Sequence, residues 1–249
     1  MTDHEGWTSA TDLISGVALP ELFAGPQRRW GAAPHAAAAL AWKSYTYWLT
    51  LPVVLSWAVS RRVPLVDPQH MLVRLDSDSP LLRIGFSRLQ LAVAADDPIA
   101  TRPEVAVIGD DNLLLKMMRV SLLDHHLEPL AERIQEAVKV GKHNLRGSIA
   151  SGIAYGVLRA AKALPHLWVE SGSAPKDARA MPSTPTGAMP SASATPSQTI
   201  MTVLEALGLE DLIELVPGAQ GPEVRRKTCC LAFTLPEPKI CSGCCLRTS

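Results

Sequence analysis

All five cysteines of the chain lie between Cys229 and Cys245, and the preceding 228 residues contain none. Cysteines used as small buried hydrophobes scatter through a core, so a cluster of this kind is a ligand set or a disulfide framework. Cys229, Cys230, Cys241 and Cys244 stand in the order C-C-x10-C-x2-C. Two close pairs joined by a short loop can bring four thiolates onto one metal centre. A tetrahedral set of thiolates suits zinc as well as iron–sulfur. Zinc sites usually use two C-x2-4-C knuckles, and only Cys241-Ser242-Gly243-Cys244 is one here. Adjacent cysteines do not chelate one ion easily, so Cys229 and Cys230 serve different metals, or one metal with local strain. Cys245 is the surplus thiol and is left outside the ligand set.

Arg225-Arg226-Lys227 immediately precedes the ligands. Cations there would stabilise a reduced, more anionic centre or dock an acidic electron donor; a solvated basic turn is the plainer alternative. Asp124-His125-His126 invites a metal reading, but adjacent histidines on a helix point in different directions, so a structural role is expected. The chain has no G-x-S-x-G, no P-loop and no G-x-G-x-x-G. It therefore carries no recognisable flavin or nicotinamide site, and electrons would have to come from a partner.

The C-C-x10-C-x2-C order, with Arg-Arg before it and Leu235-Pro236-Glu237 inside it, resembles the C-terminus of the FhuF-like ferric siderophore reductases. Trp42 to Leu75, which includes Val-Asp-Pro-Gln-His, looks like the central region of that family. Gly141 to Ser148 sits where the family has a Trp-Gly/Ser-Asn-like segment, with Arg146 in place of the aromatic residue and Ser148 in place of the Asn. The resemblance implies a [2Fe-2S] cluster held by Cys229, Cys230, Cys241 and Cys244. It also implies one-electron reduction of a ferric siderophore, of hydroxamate type, with an external donor such as a ferredoxin. Two other functions remain open: an iron–sulfur redox or iron sensor without turnover, and a zinc-stabilised interaction module.

Lys+Arg and Asp+Glu number 24 each, so no basic excess points to nucleic acid. The polar start Met1-Thr2-Asp3-His4-Glu5 lacks the basic and apolar regions of a secretory signal, so a cytoplasmic location is expected. Thiols stay reduced in that compartment, which favours metal binding over disulfides. The longest apolar run, Tyr45 to Val59, is shorter than the roughly 20 residues of a membrane span and is interrupted by Pro52. Trp42, Trp48 and Trp57 could favour peripheral contact with the inner face of a membrane; the core reading is preferred.

These residues need elements to position them. The pattern predicts a short helix at Ala10 to Ser15, a turn at Trp30 to Pro34 and a helix from about Ala36, bent at Pro52, to Ser60. Short strands are expected at Leu72 to Asp76, Leu82 to Phe86 and Val105 to Ile108. Asp110-Asp111 starts helical periodicity that runs to about Val140, with a kink or second start at Pro129. Further helices are expected at Ser148 to Leu167 and Ile200 to Leu207, and a short helix or strand at Leu212 to Val216. Alternation of Leu231, Phe233 and Leu235 predicts a strand before the stiff turn Pro236-Glu237-Pro238. The expected fold is α+β: mainly helical, with a small antiparallel sheet and a C-terminal cysteine-rich metal-binding hairpin. A single-domain body is expected over 1–170, a disordered Ser/Ala/Pro-rich insertion over 171–198, and a cysteine segment over 199–249 packed on the same domain.

Overall fold

The structure, a computed structural model, describes residues 6–75, 82–165, 168, 194–218, 221–241 and 243–247. Helices dominate, and two long ones set the frame. Helix α3 (Pro34–Ser60) starts on Pro34, whose fixed φ suits a first helical position, and stops at Arg61 in the left-handed conformation. Pro52 lies inside it, as the sequence predicts, and the helix continues through it. Most of its length is buried, from Ala36 to Trp57, so its apolar residues surround the axis rather than forming a stripe. Helix α6 (Lys142–Ala163) runs along it, with a buried face built largely from Gly147, Ser148, Ala150, Ser151, Gly152 and Ala154. Small residues on that face let the two backbones come close.

Two short helices precede α3. The first, α1 (Ala10–Ser15), is capped by the Ser9 hydroxyl; the second is α2 (Leu19–Trp30). Helix α2 is absent from the sequence expectation because Pro20, Gly25 and Pro26 interrupt its pattern. Pro20 sits in its first turn, where no helical N–H bond is lost.

Two three-stranded sheets flank the helices. In one, β1 (Thr8–Ser9) and β4 (Leu82–Phe86) both pair antiparallel with β3 (Met71–Leu75), with Val73 opposite Ile84. In the other, β2 (Val63–Leu65) runs antiparallel to β5 (Gln90–Ala94), and β6 (Val105–Ile108) runs parallel to β5. The expectation of one small antiparallel sheet is therefore corrected. The described residues form two three-stranded sheets, one of them mixed, and a separate two-stranded antiparallel hairpin. Strand β5 lacks alternation because Ala92 and Val93 are both buried, so each face is covered.

The Asp110 carboxylate caps α4 (Asp111–Met118) by accepting from Leu113 N–H. A π-helical stretch, Arg119–Leu127, leads without a break into α5 (Glu128–Ala137), with Pro129 in the first turn of α5. Gly141 is the N-terminal boundary of α6, so the helix predicted from Ser148 begins six residues earlier. The predicted insertion over 171–198 lies mostly outside the described residues. Its last residues are ordered: Thr195 forms a reciprocal capping box with Gln198 at the start of α7 (Pro196–Leu207).

Behind α3, fully buried Tyr45 donates its hydroxyl hydrogen to His126 Nε2 at 2.5 Å, and His126 Nδ1–H donates to the Val66 carbonyl at 2.8 Å. The two bonds fix the neutral ring, which agrees with the structural role expected for His126. Burial pushes its pKa down to about 4, against partial support for the charged form from the Val66 carbonyl and Asp67. The unfolded chain, with an ordinary histidine near 6.5, binds a proton that the folded chain refuses. This contribution is therefore complete above about pH 6.5 and lost as pH falls toward 4. Urea unfolding at pH 7 and pH 5 should show a loss of about 1–2 kcal/mol from this group at the lower pH, and the corresponding slope should vanish in His126→Gln.

Candidate metal centre

The cysteine segment follows a hairpin of β7 (Ile213–Gly218) and β8 (Gly221–Arg226), with Leu215 opposite Val224 and Ile213 opposite Arg226. Strand alternation continues past β8. Val224, Arg226 and Thr228 point inward, while Arg225 and Lys227 are exposed. The basic triplet is thus divided. Arg225 reaches Glu214 at 3.9 Å on the surface, whereas Arg226 is 1% exposed.

Thr228 locks the segment onto α6: even a methyl at Gly147 would overlap the Thr228 side chain. Beyond Cys230 the chain turns sharply, with Leu231 at φ +61°. A 3-10 turn at Ala232–Thr234 follows, where a strand was expected. The alternation of Leu231, Phe233 and Leu235 does not make a strand because the left-handed residue reverses the chain first. The expected hairpin is therefore corrected: the regular hairpin precedes the ligands, and the ligand loop itself is irregular.

Lys239 N–H returns to the Ala232 carbonyl at 3.0 Å, closing the loop, and the Lys239 ammonium lies 5.0 Å from the centre of the Trp30 ring. The Cys241–Cys244 knuckle docks on β8. Arg226 N–H donates to the Gly243 carbonyl at 2.9 Å, and Cys244 N–H closes a turn onto Cys241 at 3.1 Å. A side chain at Gly243 would run into the Val224 carbonyl and the Tyr155 hydroxyl, so only glycine fits.

The sulfurs meet as pairs. Cys230 and Cys241 are neighbours whose ionisations are linked by a thiol–thiol hydrogen bond. That bond is the main reason the Cys230 pKa is lowered. Burial opposes the shift, and Lys43, the Ala232 N–H and Arg226 assist it. The same bond, then burial, pushes the Cys241 thiol up. Cys245 donates to Cys229; burial first, then the charges of Cys229 and Cys244, pushes its thiol up. Leu231 N–H also donates to Cys229 Sγ at 3.3 Å. Cys244 is 7% exposed and lies within electrostatic reach of Cys241 and Cys245.

Electrostatic reach links Cys241 to Cys230 and Cys244, and links Cys245, which the sequence reading set aside, to Cys229 and Cys244. All five cysteines are free thiols. Among the described residues no three His, Cys, Asp or Glu side chains stand close enough together to form a metal-holding group. Only Cys230 and Cys241 of the quartet form a pair, and among the described residues no third thiol joins them in a metal-holding group.

Arg226 is the residue of the candidate site whose burial sequence reasoning missed. One guanidinium nitrogen, Nη2, donates to the hydroxyls of Ser148 (3.2 Å) and Thr228 (3.5 Å). Nε and Nη1 are buried with no partner among the described residues. A desolvated cation with two unsatisfied nitrogens is costly unless an anion faces it. Arg226 lies within electrostatic reach of the Cys230 and Cys245 thiols and favours their ionised forms. The donor set fits an anionic thiolate-ligated metal group, because Arg226 and Lys43 supply the charge such a group needs. Ser148, at the position where the resemblance puts an Asn, is the hydroxyl that holds Arg226.

Trp42 and Trp57 are buried, while Trp48 is 36% exposed. Among the described residues no helix is long and apolar enough to cross a membrane. No protein-family model matches the chain, and a comparison with curated proteins finds no match.

Proposed function

We propose that the chain is a cytoplasmic ferric siderophore reductase that holds a [2Fe-2S] cluster on Cys229, Cys230, Cys241 and Cys244. The observation that carries the reading is the buried, half-satisfied Arg226 guanidinium set against clustered thiols. A neutral structural role for the cysteines would leave that cation uncompensated. When bound, such a cluster supplies one-electron transfer at four cysteine thiolates.

The chain's own residues have defined tasks. Cys229, Cys230, Cys241 and Cys244 are the ligands. Arg226 and Lys43 offset negative charge, which favours the reduced form. Gly147 and Gly243 allow the two ends of the segment to seat on α6 and β8. The substrate is Fe(III) held by hard oxygen donors, which bind Fe(II) far more weakly, so adding one electron loosens the metal. An external ferredoxin-type donor supplies the electron, and no acid–base pair is needed.

Steady-state anaerobic assays with a reduced ferredoxin, a ferric siderophore and a ferrous-specific trap test the reading. Ferrous iron should appear with many turnovers, and Cys230→Ser should reduce the rate to the protein-free level. Reversible reduction of the protein without iron release would instead identify a redox sensor.

A further inference from the structure

We propose that the cavity between α3 and α6, beside the cysteine segment, receives one planar arm of a net-anionic ferric chelate and so selects anionic over neutral chelates. This rests on the reductase reading and assigns it a substrate class. The cavity measures about 250 Å³ and is lined by Trp30, Lys43, Ser44, Tyr47, Ser148 and Tyr155 among others, with no acidic side chain on its wall.

Three of its lining residues also reach the candidate metal centre. Lys43 acts on Cys230 and Cys241, Ser148 bonds Arg226, and Tyr155 O–H donates to the Val224 carbonyl beneath the Gly243 knuckle. A group in the cavity would therefore lie one side chain away from the sulfurs. Ligand pockets run to roughly 300–1,000 Å³, so a whole hexadentate chelate is too large and a single donor arm fits.

The chemistry of the walls selects the arm. Trp30, Tyr47 and Tyr155 give the lining an aromatic character that suits a planar group. Around them stand four cations: Lys43, Arg29 at 5.6 Å and Lys239 at 5.0 Å from the Trp30 ring, and Arg159 bonded to the Tyr47 hydroxyl at 3.0 Å. None of the four pairs with a carboxylate among the described residues. A ferric tris-catecholate is strongly anionic and its arms are flat rings. A simple ferric tris-hydroxamate is neutral and its arms are not aromatic. The preference therefore runs opposite to the hydroxamates that the resemblance implies.

Gallium(III) has the charge and geometry of Fe(III) but is not reduced, so its complexes isolate docking from electron transfer. Calorimetric titration of the full chain with gallium complexes of a hexadentate tris-catecholamide and a neutral hexadentate tris-hydroxamate should show the first binding at least about tenfold tighter. Lys43→Gln and Ser44→Phe should each weaken the anionic complex by about tenfold, and Lys43→Arg should retain it. Equal affinities for the two complexes, or wild-type binding by both Lys43→Gln and Ser44→Phe, would overturn the assignment. Intact gallium binding without release of ferrous iron from the matching ferric complex would fault the reductase reading and leave the cavity assignment standing.

Discussion

Arg226→Met is expected to change stability in opposite directions with and without the metal group. In the metal-free protein the substitution removes a buried cation with two unpartnered nitrogens and leaves a side chain of similar length. Burying unsatisfied polar atoms costs about 1–3 kcal/mol, and more for a charged group, so the metal-free variant should be as stable as the parent or more stable by about that amount. The loaded variant should lose the anion's main counter-charge. Its metal group should then be released faster to a chelator, and its midpoint potential should fall by something on the order of 50 mV, since 59 mV is a tenfold change for one electron. Thermal unfolding of both forms, with a potentiometric titration of the loaded one, checks this. A variant that is several kcal/mol weaker when metal-free and unchanged in potential would make Arg226 a purely structural anchor of Ser148 and Thr228.

Gly243→Ala should empty the site while leaving the helical body folded. The added methyl would land on the Val224 carbonyl, which β8 holds in its pairing with β7, so the strand cannot give way and the knuckle must. The bond from Arg226 N–H to the Gly243 carbonyl goes with it, and Cys241 and Cys244 swing away from Cys230 and Cys229. Outer-shell changes at metal sites typically cost 10–100-fold in affinity, and this one displaces two ligands together, so metal content should fall by at least about tenfold. Far-ultraviolet circular dichroism should not change, because the methyl meets α6 only at the tip of the Tyr155 side chain among its nearest neighbours. A variant that retains full metal content would mean that the knuckle does not carry ligands.

Much of the frame was legible because its signals are local. The boundaries of α1, β4 and β6 match the expected ones, Asp110 marks the start of α4, and α3 spans the predicted length with two extra N-terminal residues. The cysteine spacing singled out the candidate site by itself. What the sequence hid was hidden for identifiable reasons. Helix α2 carries two prolines and a glycine that normally end helices. Strand β5 is covered on both faces and so does not alternate. Strand β8 was not expected, and its last two residues fall in Arg225-Arg226-Lys227, which reads as a solvated basic turn by composition. Arg226 was grouped with its neighbours because residue type alone places an arginine in solvent. Strand alternation, visible only once β8 is known, puts it inside. Cys245 was excluded on spacing, yet the turn from Cys244 to Arg247 brings it against Cys229. Ser148 became meaningful only as Arg226's partner.

The most direct test is the metal itself. Protein purified without oxygen should be brown, carry two irons and two acid-labile sulfides per chain, and bleach on uptake of one electron with a single unpaired-electron signal. Serine at Cys229, Cys230, Cys241 or Cys244 should each diminish that signal. A colourless protein holding one zinc per chain would contradict the account, as would iron content unaffected by all four substitutions.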